Sequence, residues 1–382
     1  MSHPRRPAPE EKILSRFRAA GGRGQGRDIT PAVGTCGGPA PWRRAVEGAV
    51  VRLARRGFGD ARSSYLYRDT GYAEGEGEVA DAARRMRGTP APPEELQGPF
   101  IHPAVWTWEV PLYFWVGGIA AGSSFVALAA DLAGDHHAAA TARRVGLAAA
   151  VPSALLLVKD LGRPERFLNM LRIFKPRSPM SMGAWCLSAF TSAAAGSVAA
   201  DLAGRGRLAR RLGAATALLG TYLGSYTGVL LASTAVPVWA RSRLFLGPIF
   251  ICTAAATGAA TNGLVLAAGG MKAGHPTRNA LRAVENVAIA AELALSSVNE
   301  KRLGRLGEPL GEGRPGRLFQ LAKWGVRAGL GLRLARGRRN PAVHHVGSVL
   351  YIVSGLAFRF AWVGAGRTSA RDDEAVARAA RG

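Results

Sequence analysis

Cysteine is scarce in this chain: Cys36, Cys186 and Cys252 are the three in 382 residues, far apart and in no CxxC or Cys–His spacing. That excludes a disulfide scaffold and any zinc or iron–sulfur site legible in the sequence. Acids are also few, 26 Asp+Glu against 50 Lys+Arg, for a formal net charge of +24. Such an excess suits a nucleic-acid binder, and a mean hydropathy of +0.06 suits a soluble one. The distribution of charge argues against both. Residues 1–100 hold 17 Lys/Arg and 12 Asp/Glu, so most of the excess sits in the more apolar remainder. Histidines stand at 3, 102, 136, 137, 275, 344 and 345. None lies deep in an apolar run, so the facing axial pairs of a membrane b-type haem are missing. The chain shows no redox group or metal site of its own, and electron transfer through it requires metal centres in a partner.

What the sequence does have is long stretches without charge. Residues 110–130, 178–200, 212–240 and 244–271 are uncharged for 21, 23, 29 and 28 positions. About 20 apolar residues cross the hydrocarbon of a bilayer. Gly117, Gly118, Ala120, Ala121 and Gly122 would weaken a soluble helix, but they let membrane helices approach closely. Weaker segments fill the gaps. Residues 138–161 are long enough if Arg143, Arg144 and Lys159 snorkel; 281–298 carry Glu285 and Glu292; 340–358 are uncharged; 318–332, the seventh and least apolar, hold Lys323 and Arg327. The expected fold is all-α, a polytopic transmembrane helical bundle of about eight spans. It is expected as a multi-pass protein of the cell inner (plasma) membrane.

Arginine clusters at 205–211, 241–243, 301–305 and 333–339 separate the spans. They cap helices at headgroup level instead of forming one stripe, so the bilayer is the expected partner and nucleic acid is not. A small Lys/Arg bias among the loops places both termini in the cytoplasm, and residues 1–40 lack the apolar core of a signal peptide. Three parts are expected: a basic extension over 1–100, a transmembrane domain over 101–370, and a tail over 371–382. Residues 1–41, rich in Pro, Arg and Gly, are expected to be poorly ordered. Residues 42–57 read as an amphipathic helix that lies on a membrane, docks a partner or packs on the chain itself.

Ionisable and aromatic groups in or beside the spans are the functional candidates, because lipid disfavours buried charge. Trp106, Trp108, Glu109 and Tyr113 open the first span as WTWEVPLY; Glu109 and Tyr113 share a helix face. The aromatics equally suit an interfacial belt. Asp160 and Arg163 bracket a turn (DLGRP) that leads into an amphipathic segment over 164–174. Tyr222 and Tyr226 share a face in a span that closes with Pro237 and Trp239. Glu285 and Glu292 lie two turns apart on one face, as a proton-conducting line or as partners for arginines of a neighbouring span.

Three segments, WTWEVPLYFWVGGIAAGS, KDLGRPERFLNMLRIFKPRSPMSMGAW and YTGVLLASTAVPVWARSR, with the closing LAFRFAWVGAGRTSARD, resemble the NrfD/polysulfide reductase membrane-subunit family. The resemblance runs over roughly residues 100–370. The extension, with its block at 28–60, is similar to actinobacterial members linked to formate dehydrogenase. The resemblance implies a haem-free helical bundle that anchors a ferredoxin-like iron–sulfur subunit and a molybdopterin catalytic subunit. It implies electron exchange with an exchangeable quinone, menaquinone or ubiquinone. Carried onto this chain, the quinone-binding residues are Trp108, Glu109, Tyr113 and Tyr226, and Asp160 and Arg163 organise the pocket. Glu109, and Glu292 from the pair read above on one helix face, are the candidate proton-handling, catalytic groups. Where some relatives place a histidine near the first-span entrance, this chain offers Glu109 and His102. A non-catalytic anchor and a proton-translocating or transport module are the rival readings.

Overall fold

In the computed structural model the described residues are 101, 103–160, 167–336 and 340–380. The expectations for the extension over 1–100, for His102 and for Arg163 fall outside them. Among the described residues every element is helical: α1 Glu109–Leu132, α2 His136–Asp160, α3 Phe167–Arg172, α4 Pro179–Leu202, α5 Gly206–Ala232, α6 Pro237–Arg241, α7 Arg243–Ala268, α8 Pro276–Leu303, a 3-10 turn Gly304–Leu310, α9 Gly313–Arg336, α10 Pro341–Ser369 and α11 Asp373–Ala380.

Eight of these helices are 24–29 residues long, about 36 Å or more at 1.5 Å per residue. They fall on the eight expected segments. Five, α1, α2, α5, α7 and most of α10, are long and apolar enough to cross a membrane. α4 falls short because Ser, Ala and Gly dominate it, and α8 and α9 because they carry Arg278, Arg282, Glu285, Glu292, Lys323, Arg327 and Arg333. Those charges are partly turned inward, and packing against neighbours shelters what composition alone would leave in lipid. Large apolar side chains point outward in mid-helix, among them Leu155, Leu218, Val287, Trp324 and Val353. A bilayer solvates such a surface, whereas water would not.

The helices form two four-membered groups. α1, α2, α4 and α5 pack in a ring, and α7, α8, α9 and α10 in another; α7 joins them by lying against α1 and α5. At the α1–α7 crossing a side chain on Gly122 would meet the Ala254 backbone, and one on Gly258 would meet Gly122 itself. Only glycine allows this approach. Successive antiparallel helices define two ends. The entrance end holds the start of α1, the end of α2 and the elements α3, α6, the 3-10 turn and α11; the far end holds the short connections.

Two of those far-end connections are the same device used twice. α1 and α4 both close on the sequence AADLAG, with Gly134 at φ 78° and Gly204 at φ 69°. In each, the second residue past the cap donates to the carbonyl five back (Asp135 to Ala130, Arg205 to Ala200), a Schellman closure. The aspartates of both copies, Asp131 and Asp201, then grip one guanidinium. Arg143 donates from Nη1 to Asp131 at 2.6 Å, and from Nε and Nη2 to Asp201 at 2.6 and 2.9 Å. The expected snorkelling of Arg143 is therefore wrong: it is 7% exposed and ties α1, α2 and α4 together.

Two further expectations need correction. The uncharged run 212–240 is not one helix. α5 stops at Ala232, where Ser233 and Thr234 return their hydroxyls to carbonyls of the last turn, and Pro237 starts α6. The amphipathic segment expected over 164–174 is, as far as described, the six residues of α3. The SPMS turn behaves as its composition demands: Ser178 caps α4 by accepting from the Ser181 N–H, with Pro179 in the first turn.

Candidate functional site

α1 begins at the entrance end on Glu109, which is 8% exposed. Its carboxylate accepts from the Thr107 hydroxyl and lies 3.3 Å from Lys159 Nζ, on the last turn of α2. The same ammonium sits 4.5 Å from the centre of the Trp108 ring, a cation–π contact. Lys159 thus joins two of the sequence-predicted residues, and it was noted in the sequence only for its reach. Asp160, beside it, is close enough to feel the Glu109 charge. Trp106 does not face lipid as a belt residue; it stacks on Trp239 of α6 at 5.3 Å, and the Trp239 indole donates to the Trp362 carbonyl at 2.9 Å.

Trp108 borders a cleft of about 230 Å3 together with Trp106, Thr107, Pro111, Arg314 of α9 and Arg367 of α10. Tyr113 and Tyr226 lie elsewhere. Buried on the inner side of α1 and on α5, they meet through Phe114, whose ring is 4.5 Å from Tyr113 and 6.4 Å from Tyr226. They line a crevice of about 20 Å3 with Ser153, Leu157 and Gly183, room for about one water. The Tyr226 phenol occupies the space a side chain on Gly183 would take. Ser153 donates to the Tyr113 carbonyl at 3.0 Å, fixing α2 to α1 beside the crevice. The predicted cluster of Trp108, Glu109, Tyr113, Asp160 and Tyr226 therefore gathers at one end of the bundle but divides between an open cleft and a closed crevice.

Glu292 is not part of this cluster. It is buried midway along α8, accepts from Ser296 at 3.1 Å, and lines a crevice of about 10 Å3 with Lys323, Tyr351 and Ser354. Arg359 of α10 is within electrostatic reach. Glu285, two turns away, is instead bound to Arg333 of α9 and to Ser348 of α10. So of the two readings open for this pair, partnership with a neighbouring helix's arginine is the one Glu285 follows.

A larger cavity, about 680 Å3, opens at the far end between α1, α7 and α8. Its walls are apolar, with Phe125, Val126, Leu281 and Val284, and Asp135, His275 and Thr277 close its outer edge. Asp135 accepts from the Thr277 hydroxyl and from the Ala138 N–H. Burial raises its pKa, but these bonds and the neighbouring His275 outweigh burial and hold the carboxyl below its usual value. Among the described residues no group of three or more His, Cys, Asp or Glu is placed to hold a metal ion.

A helical bundle with a lipid-facing apolar surface, and with acid, aromatic and cationic groups gathered at one end, defines a multi-pass membrane subunit. The chain belongs to the NrfD family, which it matches as "Polysulphide reductase, NrfD" over residues 99–298. That stretch carries α1 through most of α8, including Trp108, Glu109, Tyr113, Asp160, Tyr226 and Glu292. Among curated proteins, none matches the chain. The family's members are membrane subunits that bind quinone and serve, in general, with iron–sulfur and catalytic subunits.

Proposed function

We propose that this chain is the quinone-interacting anchor subunit of an iron–sulfur molybdoenzyme, passing electrons between a ferredoxin-like partner and menaquinone or ubiquinone. The observation that carries the reading is the convergence at the entrance end. Residues from the start of α1, the end of α2, α9 and α10 meet around Trp108, through Lys159, Arg314 and Arg367. The formate dehydrogenase link rests on the block at 28–60, and residues 1–100 are assigned to docking the soluble subunits on the transmembrane domain over 101–370, with 371–382 as its tail.

These residues fit a quinone head at the cleft and not in the crevice. About 230 Å3 is below the roughly 300–1,000 Å3 of an enclosed small-molecule pocket. It suits a ring whose tail stays in lipid, and about 20 Å3 suits neither. Trp108 offers a flat apolar face, while Arg314 and Arg367 are donors for a carbonyl. A bound quinone supplies the acceptance of two electrons and two protons. Glu109 holds a proton site at its carboxylate, tuned by the Thr107 hydroxyl and by Lys159. Tyr113 and Tyr226, with Asp160, position α1 against α2 and α5 so that this carboxylate keeps its place. Glu292 is a candidate proton relay on a different path, through α8.

Photolabelling of the purified chain with an azido-quinone tests this. Labels competed by native quinone should fall on residues 106–111 and be lost in Trp108→Ala. Labels at Phe125 or Val284 instead would move the site to the far-end cavity. No competed labelling would leave a non-catalytic anchor.

A further inference from the structure

α1 and α8 each pack on α7 and little on each other, so the far-end cavity between them is a groove with α7 as its floor. Phe125, Ala129 and Ala133 form one wall, Ala280 and Val284 the other, and Ala255 lies beneath. The groove is open sideways. Ala129, Ala133 and Ala280 are exposed, and Val284 is 44% exposed. Val287, three residues on and more exposed still, belongs to the apolar surface that the bilayer solvates. A ligand therefore enters from lipid without displacing any helix. Along α1 the lining runs from Gly122 to Ala133, about 16 Å at 1.5 Å per residue. That is close to half of the roughly 30 Å hydrocarbon, the depth of one leaflet.

The polar side chains of the lining, Asp135, His275 and Thr277, all stand at the outer end. Burial raises the pKa of Asp135, but the Thr277 hydroxyl, the Ala138 N–H and His275 outweigh it, so the group is an anion at neutral pH. Each of its oxygens accepts one of those hydrogen bonds and keeps a lone pair for a second donor. His275 accepts the Thr277 N–H at Nδ1, 3.3 Å away, which in the neutral ring puts the proton on Nε2. Its side chain is 42% exposed, and Nδ1 is 3.9 Å from Asp135 Oδ2. The mouth of the groove thus sets an anionic acceptor beside a neutral donor. An ethanolamine headgroup carries the complement, an ammonium with N–H donors next to a phosphate. Choline has no N–H to donate, and a headgroup of net negative charge would set that charge against Asp135. The next charge on α8, Arg278, is buried and turned to the Met271 carbonyl and His345.

We propose that this groove binds phosphatidylethanolamine, with one acyl chain lying between α1 and α8, the ammonium on Asp135 and the phosphate on His275. The apolar walls, the sideways opening and the one-leaflet depth assign the chain; the charge and donor pattern of the mouth assigns the head. The site lies at the opposite end of the bundle from Trp108 and does not depend on the quinone reading.

The test uses the full chain in phosphatidylcholine nanodiscs with a trace of phosphatidylethanolamine that carries a diazirine on one acyl chain. Photolabels should map to residues 125–133 and 277–284, and unlabelled phosphatidylethanolamine should compete for them better than phosphatidylglycerol. Ala129→Phe and Ala280→Phe fill the groove from exposed positions and should each abolish this labelling. Leu218→Phe, an outward residue of α5, should label like the parent. Asp135→Asn should lower the preference for the ethanolamine probe over a matching choline probe about tenfold or more, the effect of one charge-assisted hydrogen bond. The choline probe itself should label that variant as it labels the parent. Labels spread evenly over the outward helix faces, or unaltered in both phenylalanine variants, would overturn the site. An unchanged preference in Asp135→Asn would overturn the ethanolamine assignment. Competition by menaquinone and not by phosphatidylethanolamine would overturn the lipid and give the groove to a quinone.

Discussion

Replacing Arg143 by Met should cost the membrane domain about 3–5 kcal/mol of stability, the usual result of removing one partner from a buried ionic cluster. The structure supplies the reasons for the size. Arg143 makes three charge-assisted hydrogen bonds of 2.6–2.9 Å, each contributing about 1.5–3 kcal/mol. Methionine keeps the packing of the stem and removes them all. The side chains of Asp131 and Asp201, 6% and 13% exposed, are then left facing each other without a cation. The same logic predicts recovery: Arg143→Met with Asp131→Asn and Asp201→Asn should return to within about 1 kcal/mol of the parent, because a buried cluster replaced as a whole is often neutral. Reversible unfolding in mixed micelles, followed by far-ultraviolet circular dichroism, measures both. A loss under about 1 kcal/mol in Arg143→Met would mean that the cluster is solvated and its burial misjudged. A triple variant no better than the single would locate the cost in the helix caps and not in the charges.

Three other outcomes are expected. Glu109→Gln and Tyr226→Phe should slow quinone-linked turnover of the assembled complex while the subunits still copurify; unchanged quinone kinetics in both would take from Glu109 its role at the cleft and from Tyr226 its role in positioning α1. Gly122→Val should destabilise the domain by about 1–3 kcal/mol or more, since its side chain meets the Ala254 backbone; a neutral result in the same unfolding assay would show that α1 and α7 separate freely. For Asp135 the folded pKa is lowered. Its stabilisation is therefore full above the unfolded value of about 3.9 and is lost as pH falls through the lower folded value. Asp135→Asn should be less stable than the parent at neutral pH, and the two should converge in acid; a gap that does not narrow as pH falls below about 3.9 would refute the linkage.

Much of the fold was legible because its signals are local. Hydrocarbon thickness fixes how long an uncharged run must be, and α1, α4, α5, α7 and α10 lie on such runs; α2, α8 and α9 carry charges and were legible only as weaker segments filling the gaps between them. Where the reading failed, a local rule competed with a turn. Residues 212–240 contain no charge to mark the break, yet Ser233, Thr234 and Pro237 end one helix and begin the next. The repeated AADLAG caps were visible as sequence, but nothing short of tertiary structure shows both aspartates on one arginine.

Length and absence of charge along the chain were enough to determine the class of this protein: a helical membrane bundle with arginine at its helix ends. Of the segments quoted for the family, the three that lie within residues 99–298 were enough to place it there. Partner choice was a different matter. Glu109 takes Lys159, 50 residues on; Glu285 takes Arg333, 48 residues on; Arg143 takes Asp201, 58 residues on. In each case many equally suited charges lie nearer in sequence, and only the packing of helices selects among them. The same packing divides Trp108 from Tyr113 and Tyr226, and leaves Nε and Nη2 of Arg282 without a hydrogen-bond partner among the described residues.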